Sequence, residues 1–399
     1  MAQPANTPPH DSLDTQCARG GWAEDFTTRP SAPPLYMTTA FDMHGLEQLE
    51  AVSAGTETGY IYTRDGNPNH EAFAADIAKL EGAEAGVACA SGMGAMTAVL
   101  MALLKSGDHV VSARVLYGRT SQLLNHLASA FGVHVTYVDG NHPDDFREAL
   151  TPQTKLCIIE SISNPLMEVA DLPAIATAVG HVPVLVDSTF ATPCLLRPIE
   201  HGATYVFHSA SKYLNGHGDV MLGVLVGPKD GIRRAKAMSS LFGVNTNPFE
   251  AWLGSRGLRT LPLRMERVSQ TAAHIALFLQ SHKAIERVYY PGLETHPTHA
   301  IARRLLTKGY GGMLGFDLRG GRPAVAALFR AMAEIIPFSP TLADARSTVS
   351  YPTGTSHKFI TAAARAEFGI KDGLVRLSVG LECPEDLQRE LATALNGLA

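Results

Sequence analysis

Ala203-Thr-Tyr-Val-Phe-His-Ser-Ala-Ser-Lys-Tyr-Leu-Asn-Gly-His-Gly-Asp219 decides the architecture of this chain: an apolar strand runs straight into serines, a lysine and a glycine-rich turn. A lysine just past a strand end is partly desolvated. Burial disfavours its charged form, leaving at Lys212 a neutral amine able to attack a carbonyl. Ser209 and Ser211 stand beside it as donors to phosphate oxygens. The same residues also suit an ordinary polar turn, so the other strand ends have to decide.

Outward from this point, short apolar runs alternate with helical spacing. Strands are predicted over 86–90, 109–116, 133–138, 155–159, 182–186, 205–207 and 221–226, with helices over 69–80, 96–104 and 120–131. Near-continuous apolar strands separated by helices predict a mostly parallel sheet covered on both faces. In such sheets ligands bind beyond the carboxyl ends of the strands. Past about residue 256 the character changes to a long amphipathic helix over 265–280, strand-like runs over 287–290, 313–318 and 374–379, and a closing helix over 384–398. This reads as a smaller α+β domain. Residues 1–29 read as a flexible arm, and Pro30, Pro33 and Pro34 introduce an extended segment toward Phe41.

Composition excludes several classes. The 399 residues suit two domains, and 45% hydrophobic with 18% charged residues is an ordinary globular balance. A net charge of −5 without a long basic run argues against nucleic acid. The 16 histidines are scattered, with no HExxH or CxxC spacing, so no metal site is expected. Five cysteines, Cys17, Cys89, Cys157, Cys194 and Cys383, suit buried thiols in a reducing compartment. No apolar run reaches membrane length and no export signal is evident, so a cytoplasmic location is expected.

The remaining strand ends carry matching chemistry. Ala90-Ser-Gly-Met-Gly-Ala95 opens a helix whose free N–H groups suit a phosphate, at Ser91, Gly92 and Met93. A dinucleotide loop is the rival there, but Thr97 occupies the third glycine position. Tyr117 can stack on a flat ring and move a proton. Asp187, after three apolar residues, needs a cationic or hydrogen-bonding partner, which a protonated pyridine nitrogen would supply. Asn164 follows another strand, before a proline. Each position has a plain structural explanation of its own: a turn, a core tyrosine, a cap. Together, in order at different strand ends, they supply every contact that pyridoxal phosphate needs, with a Schiff base on Lys212.

On Tyr62-Thr-Arg64 with Asn67-Pro68, Ala90-Ser-Gly-Met-Gly94, Leu116-Tyr-Gly118, Ser163-Asn-Pro165, Val186-Asp187, Ser209-Ala-Ser-Lys-Tyr213 with Gly216-His-Gly-Asp219, and Leu374-Val-Arg-Leu-Ser-Val-Gly-Leu-Glu382, the chain resembles the trans-sulfuration family of pyridoxal-phosphate enzymes over about residues 25–395. The methionine γ-lyases and cystathionine γ-lyases are the nearest types. The resemblance implies the aspartate-aminotransferase-like fold, PLP fold type I: a large, mostly parallel seven-stranded sheet domain and a smaller C-terminal α+β domain. Residues 1–63 would be an arm reaching a neighbouring subunit's site, 64–258 the large cofactor domain and 259–399 the C-terminal domain, in a homotetramer of intimate dimers. Lys212 would carry the cofactor, Asp187 would pair with the ring nitrogen and Tyr117 would stack on the ring. Ser91, Gly92, Met93, Ser209 and Ser211 would hold the phosphate, joined by Tyr62 and Arg64 from the neighbour. Asn164, Thr341 and Arg376 would bind a small amino-acid substrate, Arg376 gripping its α-carboxylate through a fork.

The implied chemistry is γ-elimination on a sulfur amino acid of the L-methionine or L-homocysteine type, giving 2-oxobutanoate, ammonia and a thiol. Lys212 would shuttle protons at Cα and Cβ, with Tyr117 as acid or base for the leaving group. O-acetyl- or O-succinylhomoserine sulfhydrylase and cystathionine γ-lyase or synthase are the alternatives within the family. A binding protein that has lost its chemistry is the alternative outside it, and intact Lys212, Asp187 and Arg376 speak against that. Arg119 stands where methionine γ-lyases generally carry cysteine. Arg346, in Thr341-Leu-Ala-Asp-Ala-Arg-Ser347, replaces the glutamate of cystathionine-handling members. Both arginines either face the γ-side of the pocket and alter leaving-group preference, or face solvent or pair with carboxylates.

Overall fold

In a computed structural model of the protein, the described residues are 30–332, 335–356, 358 and 361–398. Contacts divide the chain into residues 1–34 and 35–399. Of the first unit, residues 30–34 are exposed and form no helix or strand, and the arm expected over 1–29 lies outside the described residues. All that follows concerns the second unit.

A seven-stranded sheet is built from β1 (Ala85–Cys89), β2 (His109–Ala113), β3 (His134–Val138), β4 (Thr154–Glu160), β5 (Val184–Asp187), β6 (Tyr205–Ser209) and β7 (Gly223–Gly227), in the order β1-β7-β6-β5-β4-β2-β3. Only β7 runs against its neighbours. The strands β2 and β7 are buried throughout, as a sheet covered on both faces requires. By contrast β3, at the edge, is exposed at alternate positions. The strand predicted over 109–116 stops at Ala113, because pairing with β3 ends at Val138 and leaves the following residues no ladder to join.

The helices obey local rules. Pro68–Glu81 begins at Asn67, whose side chain accepts from the Asn69 N–H at 2.9 Å, with Pro68 pre-set for the first turn. It ends at Gly82, whose φ of 75° is the left-handed conformation that glycine adopts without a Cβ penalty. The long helix Leu261–Ser281 begins earlier than the predicted 265, because Pro262 is tolerated in its first turn.

A four-stranded antiparallel sheet follows, from β8 (Ile285–Tyr289), β9 (Met313–Leu318), β10 (Thr348–Ser350) and β11 (Leu374–Ser378), in the order β10-β11-β9-β8. Leu314, Phe316, Val375 and Leu377 from it pack with Leu387 and Leu391 of the closing helix Pro384–Asn396 into a second core. The expected α/β class and the small α+β sheet are both present. Strand β10 was not anticipated, since three residues of Thr-Val-Ser carry too little pattern to stand out. Among the described residues no helix is long and apolar enough to cross a membrane.

Candidate active site

The carboxyl ends of β1, β2, β4, β5 and β6 converge on one cavity of about 680 Å³, roofed by residues of the four-stranded sheet and its loops. Its lining includes Ser91, Gly92, Met93, Tyr117, Asn164, Asp187, Ser209, Ser211, Lys212, Thr341 and Arg376. Residues spread over much of the sequence therefore share one wall, because parallel strands deliver their C-terminal loops to the same edge.

The anion cradle comes first. Ser91 caps the helix Gly92–Leu103, its hydroxyl accepting from the Gly94 N–H at 3.0 Å. This leaves the N–H groups of the first turn aimed along the helix axis toward the cavity. Gly92 packs against Ser209: an added Cβ would lie 2.9 Å from the serine's own Cβ. Gly223, paired with both Cys89 and Ser209, lets the loop lie still closer, since a Cβ there would stand 2.0 Å from the Ser91 carbonyl oxygen. Backbone cannot yield as a flexible side chain can. Gly223→Ala is therefore expected to destabilise the fold by about 1–3 kcal/mol or more, as overpacking does, and to weaken cofactor retention. Thermal melts and cofactor titration of the variant check both.

The lysine lies in the turn after β6. Its Nζ donates to the Thr341 hydroxyl at 3.4 Å. Burial lowers the Lys212 pKa, and Arg376 lowers it further, while Asp344 opposes them. The turn is clamped from below by buried Arg264, which donates to the Tyr213 and Leu214 carbonyls and, at 2.8 Å, to that of Gly257. At Gly216, with a φ of 74°, a Cβ would collide with this guanidinium. The glycine-rich turn thus positions the lysine.

Two carboxylates form the floor. Glu160 and Asp187 are register partners on β4 and β5. Burial raises the pKa of both, and the negative Asp187 raises Glu160 further. The Thr189 N–H donates to Asp187 at 2.9 Å, and the Thr189 hydroxyl accepts from the Ser209 N–H at 2.9 Å. Opposite, buried Arg376 on β11 donates to the Asn164 side-chain oxygen at 3.0 Å. Burial pushes its pKa down to about 10, so it stays charged at neutral pH.

These groups suit pyridoxal phosphate: an amine whose pKa burial lowers, a helix N-terminus for phosphate, a carboxylate for the ring nitrogen and an aromatic side chain for the ring face. Ser211 fits less directly. Its hydroxyl accepts from the Leu222 N–H at 2.9 Å and donates to the Leu222 carbonyl at 3.3 Å, so it would have to turn to serve a phosphate.

Tyr62 and Arg64 are not in this cavity. Both are largely exposed, with the Arg64 guanidinium 5.0 Å from the Tyr62 ring centroid. Arg119 lines the cavity, and Lys358 lines it too. The Ser356 carbonyl explains their shared wall, since it would stand 2.2 Å from a Cβ on Gly118. The γ-side alternative fails for Arg346: it is exposed and outside the lining. The Glu382 carboxylate holds the Ser347 N–H at 2.6 Å and its hydroxyl at 2.8 Å, which turns the preceding side chain outward. The sequence reading also passed over Glu160, Thr189, Arg264 and Lys358. The run of apolar residues before Glu160 was the signal available for the first of them. Among the described residues no metal-ligand cluster occurs.

A family model described as Cys/Met metabolism PLP-dependent enzyme matches residues 14–396. The chain is 41% identical over 373 residues to the L-methionine gamma-lyase of Porphyromonas gingivalis, a match covering 92% of this chain and 93% of that protein. It is 38% identical over 367 residues to the O-succinylhomoserine sulfhydrylase of Pseudomonas aeruginosa, covering 91% and 90%. Among solved structures, a cystathionine gamma synthase from Xanthomonas oryzae pv. oryzae, in complex with aminoacrylate and cysteine, matches with a TM-score of 0.88 at 36% identity, covering 98% of this chain and 99% of the other.

Proposed function

The chain belongs to the Cys/Met metabolism family of PLP-dependent enzymes, and on that premise we propose that it catalyses γ-elimination on L-methionine or L-homocysteine, yielding 2-oxobutanoate, ammonia and a thiol. Its fold is PLP fold type I. The observation that carries the proposal is the grouping of Lys212, Thr341, Tyr117 and the Asn164–Arg376 pair around one cavity. Similarity to L-methionine gamma-lyases supports the choice of substrate.

Pyridoxal phosphate, when bound, supplies an aldehyde for amines and a ring that accepts electrons released at Cα. The chain's own residues do the rest. Asp187 would hold the ring nitrogen, and Ser91, Gly92, Met93 and Ser209 would hold the phosphate, joined by Ser211 once its hydroxyl turns from Leu222. Arg376, oriented by Asn164, grips the substrate's α-carboxylate through two parallel N–H donors. Lys212, whose pKa burial lowers, would take the proton from Cα and move protons at Cβ. Tyr117 would cover the ring and offer its phenol to the departing sulfur, and Thr341 would steady the lysine between transfers. Tyr62 and Arg64 serve a second copy's phosphate in a homotetramer. The exposed apolar side chains of Leu35, Tyr36, Met37, Leu46 and Ile61 suit such burial between copies. The setting is the cytoplasm.

A second reading, γ-replacement on O-succinylhomoserine, is favoured by Arg119 and Lys358. Two cations on the Tyr117 side of the cavity suit a ligand with a second carboxylate at the far end of its side chain, which methionine lacks. Product analysis on the purified holoenzyme separates them. 2-Oxobutanoate from methionine without added nucleophile is the expected result. Homocysteine formed from O-succinylhomoserine and sulfide, with no 2-oxobutanoate from methionine or homocysteine, would replace it with the second reading.

A further inference from the structure

One buried group in the cavity has no part in the chemistry above. Glu160, at the end of β4, is only 8% exposed. Its Oε1 accepts from the Tyr117 N–H at 2.6 Å, and its Oε2 accepts from the Asn164 N–H at 3.0 Å. Those donors open two different loops. Tyr117 caps the helix Gly118–Phe131, and Asn164 is the residue that accepts from Arg376.

We propose that Glu160 is a positioning residue: through one ionised carboxylate it fixes both the aromatic wall at Tyr117 and the Asn164–Arg376 clamp, and it adds its charge to that of Asp187 beside it. Two N–H donors, one on each oxygen, favour the carboxylate form, because a proton on either oxygen leaves it a weaker acceptor. The charged groups facing it are Asp187 from β5, Lys212 after β6 and Arg376 from β11, with His208 of β6 acting on Asp187. Burial and the neighbouring Asp187 raise Glu160 above the ordinary carboxylate range. Falling pH therefore protonates it sooner than a surface glutamate and loosens both loops together. The inference rests on the cofactor site described above, not on which sulfur amino acid is the substrate.

Glu160→Gln is nearly isosteric but places an NH2 group against one of the N–H donors and removes the charge. kcat/KM is expected to fall roughly 10- to 100-fold, the loss of a charge-assisted hydrogen bond, with KM raised through the clamp and kcat lowered through Tyr117. The acid limb of the pH profile should shift, as should the pH dependence of cofactor absorbance in the absence of substrate. Glu160→Asp keeps the charge and should restore the absorbance titration while leaving KM raised, because its shorter arm cannot reach both donors. A folded Glu160→Gln enzyme with kcat, KM and absorbance titration all within twofold of the parent would overturn the proposal. If that variant does not fold, parental KM in Glu160→Asp would overturn it. Failure of the underlying site is visible separately, because the parent itself would then not take up the cofactor.

Discussion

Lys212→Ala is expected to fold as the parent does and to lose turnover almost completely. The side chain is only partly buried, and among the described residues its amine makes one long hydrogen bond, to Thr341 at 3.4 Å. Its removal therefore leaves no stranded charge and only a small void open to the cavity, within the modest range typical of partly exposed sites. Catalytically the loss is large. A positioned proton-transfer group alone contributes roughly 10²–10⁴-fold, and the same substitution removes the nucleophilic amine. Single-turnover measurement beside a thermal melt makes the test: turnover within tenfold of the parent in a folded variant would end the assignment of Lys212. Borohydride reduction of the parent followed by peptide mapping gives an independent readout, with the label expected on the peptide containing Lys212.

The second large effect is expected at Arg376. It is 2% exposed and directed by its bond to Asn164, so its fork cannot readily be replaced by another cation. Arg376→Lys keeps a positive charge but exchanges two fixed parallel donors for one mobile ammonium. The expected cost is one charge-assisted hydrogen bond, about 1.5–3 kcal/mol, or roughly 10- to 150-fold in kcat/KM. Most of it should appear in KM, because the α-carboxylate is held in the ground state as well as in the transition state. An unchanged KM in a folded variant would remove Arg376 from the substrate-binding set.

Much of this was legible from local pattern. The apolar runs before Ser91, Asp187 and Ser209 are strands whose two faces are covered, and such strands announce themselves by composition. Lys212 was legible only in combination, because its neighbours also suit a polar turn and the other strand ends decided the reading. Glu160 was not, since a glutamate after an apolar run reads as any strand end. Its meaning lies in the Tyr117 and Asn164 N–H groups, 43 and 4 residues away in the chain, that meet on its carboxylate. Arg264 was missed because it lies before the predicted helix start at 265, and its role appears only when the turn it clamps is seen. Arg119 and Arg346 looked equivalent along the chain. Only the Glu382 carboxylate on Ser347 sends one of them outward.

The amino-acid order alone determined the alternation of strands and helices, the chemistry offered at each strand end and the place of the lysine proposed as reactive, because these depend on near neighbours and on the two-residue and 3.6-residue periods of side-chain burial. The tertiary structure alone decided which charges face one another. Glu160 stands beside Asp187 because β4 and β5 are adjacent and in register, and Arg376 reaches Asn164 because a strand of the second sheet closes over the first. Electrostatic energy depends on distance through space and on desolvation, and neither is a function of separation along the chain.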